Sequence, residues 1–409
     1  MAKALDGVRV VDLSHVVAGP LASFFLSQMG AEVIKIENPG GGDVMRSTGD
    51  RSDGGTPDGF VALNAGKRSL AVDIRTAEGA EIVRLLARTA DVFIENFRPG
   101  VVAKYGLDHE SIRALKPDIV YCSISGFGQA GPWSRRGAYD HVVQALTGMM
   151  MMSGACEDDP PIKVGFPVID VGAGILAALS IVGALHRRAR EGAGQHIDAS
   201  MVQASMMLMY TNASAFTTSG ATPRRVGNRG YSGSPAADTY QCVDGWLSIG
   251  ANTPAQFRKL CALLGIEDLC SDARALDLAA FNSPGSKFVV AKDTEYVRER
   301  LRDTFRGRSA SEMEGLLAAV GVPAARVRRL GEFLKEAATG QVPLPDFRFE
   351  QADATVHTSG LGFDYAADGG PSPHGAQALG ASTRGLLEEL GITAERIDRL
   401  VQSGVVRFN

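Results

Sequence analysis

The segment from Val164 to Leu179 sets one carboxylate, Asp170, among small and apolar residues at the head of a strongly apolar helical pattern. The nearest charges in sequence are Lys163 on one side and Arg187 well down the other. An ionised carboxylate in such a stretch is expensive to bury unless something stabilises its charge. Two readings of Asp170 stand side by side. It is an N-cap for the helix that follows, a position Asp favours. Or it is a nucleophile, because a carboxylate flanked by small residues leaves room for a substrate to come close and form a covalent intermediate.

Other residues could do chemistry with it. The stretch Ser14, His15, Val16, Val17, Ala18, Gly19, Pro20 leads from a strand pattern straight into a helix pattern. Ligands of open α/β sheets gather at the carboxyl ends of strands, where this turn lies. It is not G-x-G-x-x-G, so a dinucleotide fingerprint is absent. His15 alone reads as a structural loop histidine. Gly40 to Gly42, then Asp43 and Arg46, supply flexible backbone and a cation. Lys67 and Arg68 follow Asn64; Arg98 follows Asn96 and Phe97, and Lys104 comes soon after. Each cation singly is solvated surface charge. At successive strand-to-helix junctions they fit an anionic, phosphorylated ligand. Tyr139-Asp140 offers a hydrogen-bond anchor, a base or a simple turn. Met149 to Met152 is core filler in preference to a pliable acyl-facing wall.

These side chains need a scaffold, and the hydrophobic pattern supplies one. Gly7–Leu13 reads as a strand, Pro20–Met29 as a helix stopped by Gly30, and Glu32–Glu37 as a second strand, a βαβ unit with a right-handed crossover. The alternation continues with strands over Ser69–Ile74, Asp91–Glu95 and Ile119–Ile124, and helices over Ala77–Thr89 and from Val101. It predicts a doubly wound, Rossmann-like α/β domain with a parallel sheet over residues 1–224. Ser214–Gly233 reads as an exposed connection. A hairpin, Thr239–Val243 and Trp246–Ile249, and helices at Ala255–Leu264, Thr294–Thr304 and Ala310–Val320 predict a smaller α+β domain over 225–330. Residues 331–409 are expected to return to the first domain.

A chain of 409 residues exceeds one typical core. With 45% hydrophobic and 22% charged residues and a net charge of −4, it carries no basic field, which argues against nucleic-acid or membrane-surface partners. Five scattered Cys and seven His contain no C-x-x-C pair, so neither a disulfide framework nor a zinc site is expected, and a reducing cytoplasm fits best. No signal-peptide shape opens the chain. The apolar stretches near Val171–Leu185 and Met201–Met209 read as too short or interrupted to span a bilayer.

Taken in order, Asp12–Pro20, Gly30–Glu37, Gly41–Asp43 with Arg46, Asn64 with Lys67–Ser69, Asp91–Gly100, Ser125–Gly128, Tyr139-Asp140 and the Asp170 segment resemble the class III CoA-transferases and the related α-methylacyl-CoA racemases. The resemblance is dense over the first two hundred residues and loose beyond. It implies that Asp170 is the nucleophile, forming an acyl anhydride and then an aspartyl-CoA thioester. It places His15, Val16, Val17 and Ala18 against the CoA thiol arm. Arg46 and Lys104 become candidates for the CoA phosphates or the adenine end, and Asn96 and Phe97 for the cleft wall; Lys67, Arg98, Tyr139 and Asp140 join them as CoA-binding candidates. A CoA thioester is then a substrate, with no permanently bound cofactor and no metal, and an interlocked homodimer is implied.

Racemases of this group carry His where this chain has Tyr139. A phenol with an ordinary pKa near 10 is a poor partner for two-base proton exchange at neutral pH, which favours the transferase over a racemase or epimerase. A non-catalytic CoA-binding subunit of a heteromer is a further alternative, disfavoured by retention of Asp170. Arg224, Arg225 and Arg229 fit a second carboxylate on the acceptor acid, hence a small dicarboxylate, with succinyl-CoA as the expected donor. Gly227–Gly233 is the nearest match to the family's glycine lid.

Overall fold

Short runs, β-branched in β1, β2 and β4, form the strands of the larger unit: β1 (Arg9–Asp12), β2 (Glu32–Glu37), β3 (Arg68–Val72), β4 (Val92–Glu95), β5 (Val120–Ser125) and β6 (His196–Ser200). The computed structural model describes residues 3–50, 55–352, 354–367 and 370–408. The six strands pair in parallel in the order β3-β2-β1-β4-β5-β6. Alternate residues supply two apolar layers, as the two-residue period of a strand requires. Val11, Ile34, Leu70 and Phe93 face one layer with the helix Ala77–Thr89, while Val10, Val33, Val92 and Val120 face another. That second layer contains the first helix, Ala18–Gln28, and a long helix, Val168–Glu191. Both faces are covered, so the inner strands have short apolar centres (Val10-Val11, Val33-Ile34, Val92–Ile94), while buried charged residues, Asp12, Lys35, Glu37 and Glu95, fall toward their carboxyl ends.

The strand order reverses between β1 and β4. Their following loops therefore diverge and leave a crevice at the carboxyl edge of the sheet, the place where such folds bind ligands.

The smaller unit is built on the antiparallel strands β7 (Ala237–Cys242) and β8 (Gly245–Gly250), joined by β9 (Ala324–Arg326). Helices Pro254–Leu264, Thr294–Arg306 and Ala310–Ala319 enclose Phe257, Leu260, Leu301, Phe305 and Leu317 with them. Back in the larger unit, β10 (Phe347–Gln351) and β11 (Ala354–Thr358) pair antiparallel and pack Phe347 and Phe349 against Phe24 and Phe60. The terminal strand β12 (Val406–Arg407) adds antiparallel to β3, giving a seven-stranded, mostly parallel sheet among the described residues.

Three expectations are corrected. The larger unit comprises Met1–Met152, Ile162–Pro223 and Leu344–Asn409, the smaller Ser153–Pro161 and Arg224–Pro343, so the smaller does not stop near residue 330. Arg328 ties its continuation down, pairing with Glu314 at 2.7 Å and Glu336 at 2.6 Å. Within Ser214–Gly233, residues up to Ser219 are helical. The hydroxyls of Thr217 and Ser219 bond back to Ala213 O and Ala215 O at 2.9 Å, which accommodates polar side chains inside the turn. The apolar stretch around Val171 is a helix of 24 residues, long and apolar enough to cross a membrane by length and composition. Ile169, Ala173, Ala177 and Ile181 on it are buried against the sheet, as in a core helix.

Candidate active site

The turn after β1 is fixed one amide at a time. Ser14 N donates to Asp12 Oδ1 at 2.8 Å. His15 N donates to Asn96 Oδ1 at 2.9 Å, and Asn96 Nδ2 returns a bond to His15 O at 2.7 Å. Val16 N donates to both carboxylate oxygens of Asp43 at 3.2 Å. Val16 sits at φ 68°, in the left-handed region that a β-branched residue strongly disfavours. Lys35 Nζ bridges Asp43 Oδ2 at 3.0 Å and Ser14 O at 2.8 Å, with the Lys35 and Asp43 side chains only 2% and 1% exposed. Gly19 completes the turn: a Cβ there would lie 2.2 Å from Ser14 Cβ.

Asp170 occupies the first turn of the long helix but does not cap it. The residue before the helix is Pro167, and no side chain of its own caps the N-terminus. The cap comes from Asp140, whose Oδ2 accepts from Ile169 N at 2.7 Å and Asp170 N at 3.1 Å. Gln144 Nε2 holds Asp140 Oδ1 at 2.5 Å, and Gln144 Oε1 accepts from Val164 N at 2.8 Å. The N-cap reading of Asp170 therefore passes to Asp140, leaving the Asp170 carboxylate without that task. Burial, and secondly the charge of Asp140, push the Asp170 pKa up to about 6.

Close helix packing brings the two halves of the site together. A Cβ on Gly174 would lie 2.7 Å from Ala18 O and 3.0 Å from Leu21 Cβ, so only glycine lets the long helix approach the first helix there. Asp170, one turn earlier on the same helix, is thereby brought to the N-terminus of the first helix.

A cavity of about 400 Å³ results, lined by His15, Val16, Val17, Ala18, Asn96, Phe97, Arg98, Tyr139 and Asp170. These sequence candidates come from the ends of β1 and β4, from the residue before the short helix Asp140–Leu146, and from the long helix. Burial lowers the His15 pKa, which favours the neutral imidazole, and its ring lies 5.2 Å from Phe97. Val17 and Ala18 put the positive end of a helix beside the carboxylate. A second cavity of about 310 Å³ shares Phe97 and Val101 with the first and adds Asn38, Ile74, Arg75 and Tyr105. Its walls are largely the carboxyl ends of β2 and β3.

The other candidates lie elsewhere. Arg46 does not line the main cavity: it grips Glu37 through two bonds of 2.7 Å, donates to Gln377 O at 3.0 Å and stacks over Phe60. Lys67 is buried beneath the turn, donating to Pro20 O and Asn64 Oδ1 at 2.9 Å and facing Asp12 at 3.4 Å. Burial lowers its pKa to about 7 against the pull of Asp12. Both serve the scaffold, because their charges are consumed by fixed protein partners. Lys104 is exposed on a short 3-10 turn and does not line the main cavity. Arg225 is buried in the smaller unit, its amide bonded to Glu157 at 3.0 Å and its guanidinium to Asp159 O, so it is not a free guanidinium for a substrate acid. Arg224 and Arg229 are exposed there. Gly227–Gly233 belongs to the same unit, with Gly230 N bonded to Ala237 O at 2.7 Å. Met151 and Met152 line a separate apolar cavity with Met206, Met209 and Phe216.

Sequence reasoning missed Ser125, Gly126, Ser134, Arg136 and Met201 on the main cavity wall. Arg136 lies 4.4 Å over the Trp133 ring. Ser125 and Gly126 lie within the Ser125–Gly128 segment of the resemblance, but nothing local marks which residues of that loop line the cavity. Among the described residues no group of three His, Cys, Asp or Glu side chains is placed to hold a metal ion.

Residues 5–364 match the family described as CoA-transferase family III. The chain belongs to this family. It is an enzyme of the CoA-transferase class, and its relatives carry that activity in their names. A succinate–glutarate CoA-transferase of Agrobacterium fabrum is 42% identical over 66% of this chain and 68% of its own length. A succinyl-CoA–D-citramalate CoA-transferase of Chloroflexus aurantiacus is 32% identical over 88% of this chain and 85% of its own. A CAIB/BAIF family protein from Brucella suis superposes with a TM-score of 0.81 at 31% identity, covering 95% of this CoA-transferase and 100% of that chain. The α/β architecture with its mostly parallel seven-stranded sheet is that of the family.

Proposed function

We propose that this CoA-transferase moves CoA between two acids through covalent intermediates on Asp170. The Asp170 carboxylate attacks the donor thioester carbonyl and expels CoA thiolate, leaving a mixed anhydride. The thiolate then attacks the Asp170 acyl carbon, releasing the donor acid and forming an aspartyl-CoA thioester. The acceptor carboxylate attacks that thioester to give a second anhydride and free thiolate. Attack of the thiolate on the acceptor carbonyl yields the new acyl-CoA and regenerates Asp170. The observation that carries this reading is a carboxylate relieved of capping by Asp140, raised to a pKa of about 6, and lining a cavity at the switch point of the sheet.

The nucleotide end of CoA fits the second cavity, reached past Phe97 and Val101. Arg98 and Arg136 supply cations for its phosphates or for the acceptor's far carboxylate. We take succinyl-CoA as donor and a small dicarboxylate as acceptor, in line with the relatives named for glutarate, D-citramalate and mesaconate. The proposal includes a cytoplasmic homodimer: exposed Leu179, Met207, Leu208 and Phe216 offer apolar surface of the kind that self-association covers, and equilibrium sedimentation tests it.

The test is the mass of the Asp170 peptide after brief incubation with succinyl-CoA and other acyl-CoAs, trapped with hydroxylamine or borohydride. An acyl-CoA-dependent modification at Asp170 supports the covalent route. Turnover with Asp170 unmodified, or an active Asp170→Ala variant, overturns it.

A further inference from the structure

We propose that Asp43 is a positioning residue for the transfer reaction, acting by holding the Val16 peptide in its left-handed conformation at the cavity wall. The inference rests on reading that cavity as the acyl-CoA site.

Val16 is one of two non-glycine residues with positive φ among the described residues. The other, Ala352, lies in the turn between β10 and β11. Val16 is β-branched and lines the cavity that holds Asp170. Its relaxed state is therefore not the one observed, and something must hold the peptide against relaxation. The hold is electrostatic. Asp43 accepts from Val16 N with both oxygens, from Met45 N at 3.1 Å, and from Lys35 Nζ at 3.0 Å. Three donor groups converge on a carboxylate that is 1% exposed, with Lys35 equally buried to balance its charge. Lys35 also reaches Ser14 O at 2.8 Å, so the same ammonium pins the turn two residues upstream. Glu37 Oε2 accepts from Asp43 N at 3.2 Å and anchors the loop from which the clamp reaches.

Only an acceptor-only group satisfies all three donors. An amide at position 43 would turn an NH₂ toward one of them and weaken the hold on Val16. Asp43 touches no substrate on this account; it acts through Val16, whose peptide orientation sets the wall against which the reacting thioester lies.

The test is a double-mutant cycle in the full-length enzyme, Asp43→Asn and Val16→Gly, with single-turnover transfer and acyl-CoA KM as readouts. Glycine adopts positive φ without strain, so the Val16→Gly background has less need of the clamp. Expected is a fall of tenfold or more in the transfer rate on Asp43→Asn with Val16 present. KM should change less than threefold, and the loss should shrink below threefold in the Val16→Gly background. A purely structural role predicts the same loss in both backgrounds, and that result overturns the proposal. So does an Asp43→Asn enzyme within twofold of wild type. Hydrogen exchange at the Val16 amide provides a second readout that needs no turnover: strong protection in the wild type, lost at least tenfold in Asp43→Asn. If that variant does not fold, an unprotected Val16 amide in the wild-type protein still overturns the clamp. Absence of transfer by the wild type with any acyl-CoA overturns the functional reading, while the exchange measurement still decides the clamp.

Discussion

The carboxylate of Asp140 caps the helix that carries Asp170, accepting the Asp170 amide at 3.1 Å while its charge raises the pKa of the Asp170 side chain. One carboxylate thus orients the other and also resists its ionisation. The two effects can be separated by experiment.

Activity should rise with pH through about 6. The attacking form of Asp170 is the carboxylate, and its raised pKa leaves it mostly protonated below that pH. The rate of acyl-CoA-dependent labelling of Asp170, measured from pH 4.5 to 8, should follow a single acid limb with its midpoint near 6. A midpoint near the ordinary Asp value of about 4 would show that burial and Asp140 do not perturb it.

Asp140→Ala removes the helix cap and leaves the Ile169 amide without its acceptor. Chemical denaturation should show a loss of about 1–3 kcal/mol. Asp140→Asn keeps most of the shape and removes the like charge, so the acid limb of its pH profile should move below that of the wild type. An unmoved limb would leave burial as the sole cause.

Asp170→Asn should stabilise the protein near pH 8. The folded pKa of about 6 lies above the unfolded value, so ionised Asp170 destabilises the fold above that pH. The destabilisation shrinks as pH falls through 6 toward 4. A stability gain of about 1–3 kcal/mol at pH 8, smaller at pH 5, is expected from a shift of this size. Thermal melts at both values check it, and a variant less stable than wild type at pH 8 would contradict it.

Gly174→Ala should separate the long helix from the first helix, because the new methyl would overlap Ala18 O at 2.7 Å. A destabilisation of about 1–3 kcal/mol is the usual result of overpacking such a contact. Asp170 lies one turn upstream, so transfer should fall even where the variant stays folded. Full activity at normal stability would mean that the helix spacing does not set the site.

Much of the scaffold could be read locally. β2 and the helix Ala77–Thr89 lie where their patterns begin and end, since period and β-branching report burial directly. The polar helix that ends at Ser219 escaped because its Thr and Ser satisfy themselves by back-bonding, which no hydropathy pattern reveals. The Asp170 segment stood out because a lone carboxylate among glycines and alanines is costly by composition alone. Its neighbour Asp140 was visible only as one of several equal possibilities.

The amino-acid order determined the βαβ alternation, the glycines that permit close helix approach, and which side chains had chemistry to offer. Only the tertiary structure decided how those side chains are employed. Arg46 and Lys67 look like ligand cations in sequence, yet Glu37 and Asp12 engage them inside the protein. Asp43 looks like a turn residue, yet it reaches 27 positions back to hold Val16. Arg136 gave no local signal and lines the cavity with Asp170. A charge acquires its role from the partner it meets, and the partner is chosen by which strands and helices lie side by side. Local periodicity specifies the elements; the reversal of strand order at β1 and β4 is what brings residues 81 positions apart, such as His15 and Asn96, within hydrogen-bond distance.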